Sequence, residues 1–354
     1  MERAESSRKS VRGMRRGLFP VIVLFALTMF SSLPQDTLAQ GQGMVDRVAR
    51  AKKEGAVNFY STWDIGRSQL LKEIFEKHYP GIVVNVFRAT AASMNNRLSL
   101  EARTGRHEFD VTIPGEIFWK GLNDQGLFTP YCSPERDAYP AELKDDRCFW
   151  TMLNLNTNVM AYNTRLVSKE EAPRKLLDLL HPRWKDKLVM DPQDYRWFAY
   201  TLDKMGEEKG IDFMKRLAGQ RPHFRPGHTL QIQLVAAGEF PVNVMGYGYR
   251  VEELRAKGAP IDWYADEPVS ITGAAGSLSR RAPHPEASKL FMDFLLSREA
   301  QQAMVRFNVV PARPDVPPDP PRLTRGLKLH PVKPELADII NRRIEQFRAI
   351  FGTQ

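Results

Sequence analysis

Short β-rich runs and helical patterns alternate between residues 56 and 126, and this alternation limits the fold more than any other feature of the sequence. Strands are predicted at 56–62, 83–87 and 110–115, and helical patterns follow them at 68–75, 93–105 and 116–126. Strands that alternate with helices favour an α/β fold, a parallel sheet covered on both faces. In such sheets ligands bind beyond the carboxyl ends of the strands.

The second half of the chain has a different pattern. Residues 149–164 (FWTMLNLNTNVMAYNT) predict two strand-like runs with no helix between them, and residues 267–281 (EPVSITGAAGSLSRR) predict a strand pair separated by glycine. Helices are predicted at 200–218, 229–237, 250–258, 284–307 and 335–352, with a strand at 241–245 and a proline-rich linker at 312–322. Two α/β lobes joined by extended strands fit this order.

The first 39 residues have the three-part order of a secretory signal peptide. MERAESSRKSVRGMRRG carries six Lys/Arg and two Glu, an apolar run of thirteen residues follows, and small residues precede a cleavage site after Ala39. The apolar run is shorter than the roughly 20 residues that span a bilayer, so a membrane anchor is disfavoured. We therefore expect export to the periplasm. Arg15 and Arg16 loosely resemble a twin-arginine signal, and the choice between the Sec and twin-arginine routes stays open.

The charge balance limits the partners. Of the 51 Lys/Arg and 42 Asp/Glu in the whole chain, six and three lie in the predicted signal, which leaves 45 against 39 and a net charge of +6. No basic stripe with interleaved aromatic residues occurs, so nucleic acid is not an expected partner. A mildly cationic body instead favours the arrival of anionic solutes.

The sequence contains two cysteines, Cys132 and Cys148. In an oxidising compartment they can close a loop that contributes about 3 kcal/mol by the chain-entropy argument. The alternative is a pair of buried free thiols, and the sequence leaves the choice open.

Four segments carry a family resemblance. AYNTRLV, DLLHPRWKDKLVMDP, GHTLQIQLVAAGEFPVNVMGYGYRVEELRAKGAPIDW and HPEASKLFMDFLLS occur in an order that resembles the solute-binding components of ABC importers. The resemblance extends from about residue 55 to 311. It is strongest to the branch often labelled ferric-iron binding, which also contains binders of phosphorylated and phosphonate solutes.

This resemblance implies a type II periplasmic binding fold, two α/β lobes with a ligand cleft between them. The expected boundaries are 1–39 for the signal peptide, 40–155 and 268–315 for lobe 1, 156–267 for lobe 2, and 316–354 for a C-terminal linker and helix packed on lobe 2. The resemblance also implies that the protein hands a small solute to an ABC permease in the inner membrane. We further expect a monomer without a cofactor.

The segment GYGYR contains the first candidate ligand-binding residues, Tyr247 and Tyr249. They follow a predicted strand and open a predicted helix, where unpaired backbone N–H groups attract anions. Gly246 and Gly248 let the backbone approach a ligand closely. Each phenol can donate a hydrogen bond to an anionic oxygen, whereas the alternative is one packed and one surface tyrosine. His228 is a weaker candidate, since it can equally lie in a loop.

Further candidates follow other strands or begin helices. They are Ser61, Thr62, Trp63, Thr90, Ser93, Glu116 and Thr229. Several of these hydroxyls can instead serve only as helix caps. Arg88 can add a fork-shaped donor set or stay solvated.

The expected ligand is a small anion, a phosphorylated, phosphonate or carboxylate solute that is captured by closure of the lobes. Ferric iron is the alternative, as transported ligand rather than cofactor, because the resembled iron binders use two adjacent tyrosines with a histidine or carboxylate from the first lobe. Here Gly248 separates Tyr247 from Tyr249, and the loop YSTWD contains no histidine, although Asp64 or Glu116 can supply a hard oxygen. A cationic solute over Trp63 and the tyrosines is less favoured.

An enzyme on the same fold is the least favoured interpretation. The sequence contains no GxSxG elbow, HExxH helix, CxxC pair or Walker loop. The seven histidines are scattered, and no nucleophile stands beside a recognisable base. We therefore expect a binding protein.

Overall fold

The computed structural model describes residues 35–331 and 339–353. Most of the predicted signal peptide, up to residue 34, lies outside the described residues. The described residues divide into two units, one that ends at Asp46 and one that begins at Arg47. In the first unit, residues 35–46 form the beginning of a helix. The second unit contains the sheet and all the other helices.

Eleven α-helices are assigned within the described residues. They are α1 (Gln35–Glu54), α2 (Ile65–His78), α3 (Ala91–Thr104), α4 (Glu116–Asp124), α5 (Tyr195–Met205), α6 (Glu207–Gly219), α7 (His228–Ala237), α8 (Gly248–Ala256), α9 (Pro285–Leu296), α10 (Arg298–Val305) and α11 (Ile340–Phe351). Short 3₁₀ helices occupy Pro134–Ala138, Ala141–Leu143, Leu176–Leu180, Pro182–Trp184 and Pro321–Leu323.

Twelve strands form one continuous sheet in the same part of the chain. They are β1 (Ala56–Ser61), β2 (Val83–Arg88), β3 (Val111–Ile113), β4 (Phe128–Thr129), β5 (Thr151–Asn163), β6 (Leu188–Met190), β7 (His223–Phe224), β8 (Val242–Tyr247), β9 (Ile261–Tyr264), β10 (Val269–Ser279), β11 (Val310–Pro311) and β12 (Leu329–Pro331). The main order is β2-β1-β3-β10-β5-β8-β6-β7, with β4 and β12 on β10 and with β9 and β11 on β5.

The sheet consists of two parallel groups joined by an antiparallel pair. β2, β1 and β3 are parallel to one another, and so are β8, β6 and β7. Between the groups, β10 runs antiparallel to β5 from Ile271 to Gly276, while the second half of β5 pairs with β8 and β9. The expected α/β class, with two parallel groups joined by extended strands, is confirmed.

Local sequence signals determine where several helices begin and end. Asp64 caps α2 by accepting a hydrogen bond from the Arg67 backbone N–H at 2.9 Å, and Thr90 caps α3 through the Ser93 N–H at 3.3 Å. Gly105 ends α3 in the left-handed conformation, with φ of 69°, which glycine adopts without steric cost. These signals explain why the first two strand and helix pairs match the prediction.

Three predictions about elements in the second half were wrong. Residues 149–164 contain one thirteen-residue strand rather than two runs, and residues 267–281 contain the single strand β10 rather than a strand pair. The glycines of β10 do not break it, because Gly273 and Gly276 lie where neighbouring atoms approach closely. The helix predicted at 284–307 divides in two at Ser297, whose hydroxyl caps α10 through the Ala300 N–H at 3.3 Å.

The two cysteines are paired and are not free thiols. Cys132 and Cys148 form a disulfide, with their Cα atoms 5.1 Å apart. The bond closes a loop that returns to the start of β5.

The C-terminal helix is part of a hydrophobic core. α11 packs against α5 and α6, and Phe347 is fully buried between Tyr195 and Phe198, whose ring centroids lie 5.3 and 5.7 Å away. On the same helix, Arg343 pairs with Glu207 through a hydrogen bond of 2.6 Å from Nη1 to Oε1. Within the described residues, no helix has both the length and the apolar character needed to cross a bilayer.

We expect Phe347→Ala to lower the free energy of unfolding by about 3–5 kcal/mol, because it leaves a cavity in a closed aromatic cluster. Chemical denaturation monitored by circular dichroism measures this loss. The control is Arg342→Ala on the same helix, whose side chain is 59 % exposed and whose loss should stay within about 0.5 kcal/mol. Equal losses for the two variants would show that α11 does not belong to the core.

Candidate functional site

A cavity of about 680 Å³ lies where the strand ends of the two parallel groups meet. Thr62 and Trp63 follow β1, Arg88 ends β2, Pro114 follows β3, and Tyr247 ends β8 on the opposite wall. The antiparallel pair supplies the floor, through Asn154 and Asn156 of β5 and Thr272, Gly273 and Ala274 of β10. The position is the one that the fold predicts for a ligand.

Several helices begin at this cavity. The N-cap residues of α4, α5, α7 and α8 make no side-chain capping hydrogen bond, and residues of each N-cap or first turn line the cavity. These lining residues are Gly115, Arg196, Thr229, Tyr247, Tyr249 and Arg250. The first N–H groups of a helix carry positive partial charge, so the cavity presents several anion-attracting helix ends at once.

Arginine is the commonest charged residue of the cavity. Among the described lining residues, five are arginines (Arg67, Arg88, Arg196, Arg250 and Arg306) and two are carboxylates (Asp64 and Glu253). Both carboxylates pair with an arginine, Asp64 with Arg67 at 3.3 Å and Glu253 with Arg250. The cavity therefore keeps an excess of positive charge.

Arg67 is the most buried of these arginines, with 7 % of its side chain exposed. Its guanidinium lies over the Trp63 ring at 5.3 Å and over the Phe307 ring at 5.9 Å. Burial lowers the pKa of Arg67, with Asp64 and Tyr249 acting in the opposite direction, yet an arginine remains charged near neutral pH. Within the described residues, Arg67 Nε has no hydrogen-bond partner, although it is buried.

A second buried polar atom of the cavity is also unpaired. The Oγ1 atom of Thr272 has no hydrogen-bond partner among the described residues, and the residue is 7 % exposed. A buried polar group without a partner costs about 1–3 kcal/mol. The unpaired atoms of Arg67 and Thr272 both belong to residues that line the cavity, where a polar ligand can satisfy them.

The two tyrosines stand side by side on one wall. Their rings are nearly parallel, with an interplanar angle of 14° and centroids 5.8 Å apart. Tyr247 ends β8, while Tyr249 lies in the first turn of α8. Burial raises the pKa of Tyr249, and Arg67 and Arg250 offset this only in part. Tyr249 is therefore a neutral phenol near pH 7, able to donate a hydrogen bond.

The ring of Tyr247 packs against His228, the first residue of α7. The His228 ring meets the Tyr247 ring edge-on at 4.7 Å, and its Nε2 atom lies 3.3 Å from Asp194 Oδ1. Burial lowers the pKa of His228 to about 4, so the ring is neutral near pH 7. Burial and then the adjacent Asp191 raise the pKa of Asp194 well above its usual value.

The structure brings together only some of the predicted site residues. Thr62, Trp63, Thr229, Tyr247 and Tyr249 line the cavity.

Ser61, Thr90 and Ser93 do not belong to the described lining. Ser61 is buried and accepts hydrogen bonds from the Trp63 N–H at 3.1 Å and the Ser68 hydroxyl at 3.2 Å. Thr90 caps α3, with its hydroxyl 3.0 Å from that of Ser93, and both residues are exposed. Glu116 is the first residue of α4, and its side chain lies outside the described residues.

Most of the arginine and amide side chains that line the cavity were not predicted from the sequence. The missed residues are Arg67, Arg196, Arg250, Arg306, Asn154, Asn156, Asn308 and Thr272. For Arg250 and Arg196 a usable signal existed, since both lie in the first turn of a helix that follows a strand. Asn154 and Thr272 lie inside strands, and only long-range pairing brings them together.

The described residues offer little to a metal ion. No group of three or more His, Cys, Asp or Glu side chains among them is arranged to hold one. The Trp63 indole donates to Asn154 Oδ1 at 2.9 Å, which ties the lobe containing β1 to the floor of the cavity.

The chain belongs to the family of bacterial extracellular solute-binding proteins, whose sequence profile matches residues 110–337. This is a family of binding proteins, in agreement with the expectation that the chain is not an enzyme. The major ferric iron-binding protein of Neisseria meningitidis is 22 % identical over 174 residues, which are 47 % of this chain and 52 % of that protein. The chain thus spans about half the length of the curated relatives that it matches.

Solved structures share the fold over most of the chain. Iron-bound HitA from Pseudomonas aeruginosa superposes with a TM-score of 0.72 at 18 % identity, over 83 % of this chain and 99 % of that one. The periplasmic binding protein AfuA from Actinobacillus pleuropneumoniae, with exogenous fructose-6-phosphate bound, gives 0.72 at 21 % identity, over 85 % and 99 %. These likenesses confirm the expected type II periplasmic binding fold, with two α/β lobes and a cleft.

We expect Gly246→Ala to lower the free energy of unfolding by about 1–3 kcal/mol, because the added Cβ overpacks the site. That atom would lie 2.6 Å from both Asn243 Oδ1 and Ile232 Cδ1. Thermal denaturation measures the loss. The matched control is Gly121→Ala in α4, where nothing described lies within 4 Å and alanine favours the helix. Equal stability of the two variants would contradict close packing behind Tyr247.

Proposed function

We propose that this protein is the periplasmic substrate-binding component of an ABC transporter and captures a small anionic solute, a phosphorylated, phosphonate or carboxylate compound. The observation that carries the proposal is the convergence of five arginines and four helix N-termini without side-chain caps on one cavity. Both features stabilise negative charge, and both come from distant parts of the chain.

The energetics favour an anion over a neutral or cationic solute. Arginine binds carboxylate and phosphate through paired, charge-assisted hydrogen bonds, which are stronger than neutral ones. Helix N-termini add favourable charge interactions of about 0.3–1 kcal/mol each. A cation would face five arginines with only Asp64 and Glu253 as described carboxylates, both already paired. Tyr247 and Tyr249 complete the anion site as hydrogen-bond donors.

Ferric iron is the second candidate, and one observation favours it: the two phenols stand side by side in a fold shared with iron-bound HitA. Two observations weigh against it. Gly248 separates the tyrosines in sequence. The described residues lack a cluster of carboxylates and histidines around them.

The cellular role follows from the family and the predicted signal peptide. AfuA is a periplasmic binding protein, and the signal-like residues 1–39 direct this chain to the same compartment. We further propose that the lobes, 40–155 with 268–315 and 156–267, close on the solute and present it to an inner-membrane permease. The protein acts in this role as a monomer.

Thermal unfolding with a panel of probes tests the proposal. The probes are glycerol 3-phosphate, methylphosphonate, succinate, ferric citrate and the neutral control glycerol. We expect at least one anionic probe to stabilise the protein, by about 2.7 kcal/mol at a hundredfold excess over Kd, and glycerol to have no effect.

Two variants with equal change of charge make the test specific. Arg67→Gln in the cavity should abolish the stabilisation, whereas Arg216→Gln, on α6 with 60 % of its side chain exposed, should leave it unchanged. A visible charge-transfer band with ferric iron that disappears in Tyr247→Phe would refute the anion proposal in favour of iron.

A further inference from the structure

The floor of the cavity is uncharged, in contrast to its walls. Its described residues are Asn154, Asn156, Thr272, Gly273 and Ala274, whereas the five lining arginines all lie outside β5 and β10. Hydrogen bonds from arginine to an anion are about twice as strong as neutral hydrogen bonds. The anionic group of a solute is therefore held best by the arginines, and the floor is left for an uncharged part of the same molecule.

A chain of hydrogen bonds fixes how the amides of the floor are oriented. The Trp63 indole N–H can only donate, so the Asn154 atom that lies 2.9 Å from it is the oxygen Oδ1. Asn154 Nδ2 then donates to Asn156 Oδ1 at 3.3 Å. Within the described residues Asn156 Nδ2 makes no hydrogen bond, although Asn156 lines the cavity. This nitrogen is therefore left to donate to a ligand.

Thr272 lies beside Asn156 and has the second unused polar group of the floor. The register of β10 on β5 places Thr272 directly opposite Asn156. Residues directly opposite in an antiparallel pair project from the same face, with Cβ atoms about 4.5–5.5 Å apart. The Thr272 hydroxyl has no described partner, and the residue is 7 % exposed. A ligand hydroxyl can accept from Asn156 Nδ2 and share a second hydrogen bond with Thr272 Oγ1.

The size of the cavity indicates a solute that extends beyond its anionic group. The volume of about 680 Å³ lies within the range of about 300–1,000 Å³ that is typical of sites for small organic molecules. A bare oxyanion at the arginines would leave most of this volume, and both polar groups of the floor, to water. An organic anion with a polar body uses the walls and the floor together.

We propose that the transported solute bears a hydroxyl group close to its anionic group, and that Asn156 and Thr272 select this hydroxyl. Trp63 and Asn154 act as positioning residues, because they fix which atom of the Asn156 amide is offered to the ligand. This inference rests on the proposed anion binding and narrows its substrate class to hydroxylated organic anions. An alkyl anion of equal charge leaves both floor groups without a partner, which lowers its affinity.

Isothermal titration calorimetry with two matched pairs of probes tests the inference. Glycerol 3-phosphate and propyl phosphate have the same phosphate on a three-carbon chain, with two hydroxyls and with none. Glycerate and propionate make the same comparison for a carboxylate. In a pair that binds, we expect the hydroxylated member to bind at least about tenfold more tightly, because it gains two hydrogen bonds that the other lacks.

Thr272→Val gives the sharpest variant, because a methyl group replaces the hydroxyl without a change of shape. We expect it to weaken the hydroxylated probe about fivefold more than the probe without hydroxyls. The unliganded variant should melt no lower than the parent protein, since the lost hydroxyl has no described partner. The matched control is Thr157→Val on β5, where the hydroxyl donates to the Leu323 carbonyl at 2.8 Å. This control should melt lower and bind like the parent protein.

Two further variants test the amide and its positioning. Asn156→Ala removes the donor and should also weaken the hydroxylated probe more than its partner. Trp63→Phe keeps an aromatic ring beside Arg67 but loses the N–H that fixes the Asn154 amide, so it should reduce the preference for the hydroxylated probe in part. The melting temperature of each unliganded variant shows whether it is folded.

The possible results separate this inference from the proposed function. Equal affinity within each pair overturns the hydroxyl inference and leaves anion binding intact. A preference that Thr272→Val and Asn156→Ala leave unchanged, or equal weakening of both members of a pair, overturns the assignment to the floor. Binding of ferric citrate alone, or of no probe, refutes anion binding and the inference with it.

Discussion

The antiparallel pairing of β5 with β10 is the constraint on which the rest of the structure depends. This pair joins two parallel groups of strands, so that the carboxyl ends of β1, β2 and β3 approach those of β8 and β6 across one floor. The two strands approach so closely at Gly273 that no side chain fits there, since an added Cβ would lie 2.4 Å from the Asn154 carbonyl oxygen. Helices that follow these strands begin at the same place. The positive partial charges of their N-termini therefore converge there through the backbone alone, apart from any charged side chain.

Side chains strengthen the field that the backbone creates. Burying a guanidinium is costly unless partners compensate, and Arg67 keeps Asp64, two aromatic rings and Tyr249 nearby while its Nε remains unpaired. The unpaired Nε lowers the stability of the unliganded protein and favours binding of a ligand that accepts its hydrogen bond. The neutral His228 behind Tyr247 has the complementary role, since it supports the phenol by ring packing without adding charge.

Much of the fold could be predicted because its signals are local. Strand and helix periodicity, the caps Asp64 and Thr90, and the stop at Gly105 lie within a few residues of the elements that they define. The position of Tyr247 and Tyr249 at a strand-to-helix junction could be predicted for the same reason. The floor residues Asn154 and Thr272 were not predictable, because they approach one another only through strand register. Ser61 resembled a ligand-binding hydroxyl in sequence, but the fold turns it into the core.

Native mass spectrometry of protein purified gently from its own cells tests the central claim most directly, because it weighs whatever solute the cavity has selected. We predict a noncovalent adduct of an organic acid or phosphorylated compound, released on unfolding and lost in Arg67→Gln but kept in Arg216→Gln. An adduct with the mass of ferric iron that depends on Tyr247 and Tyr249 would contradict the account.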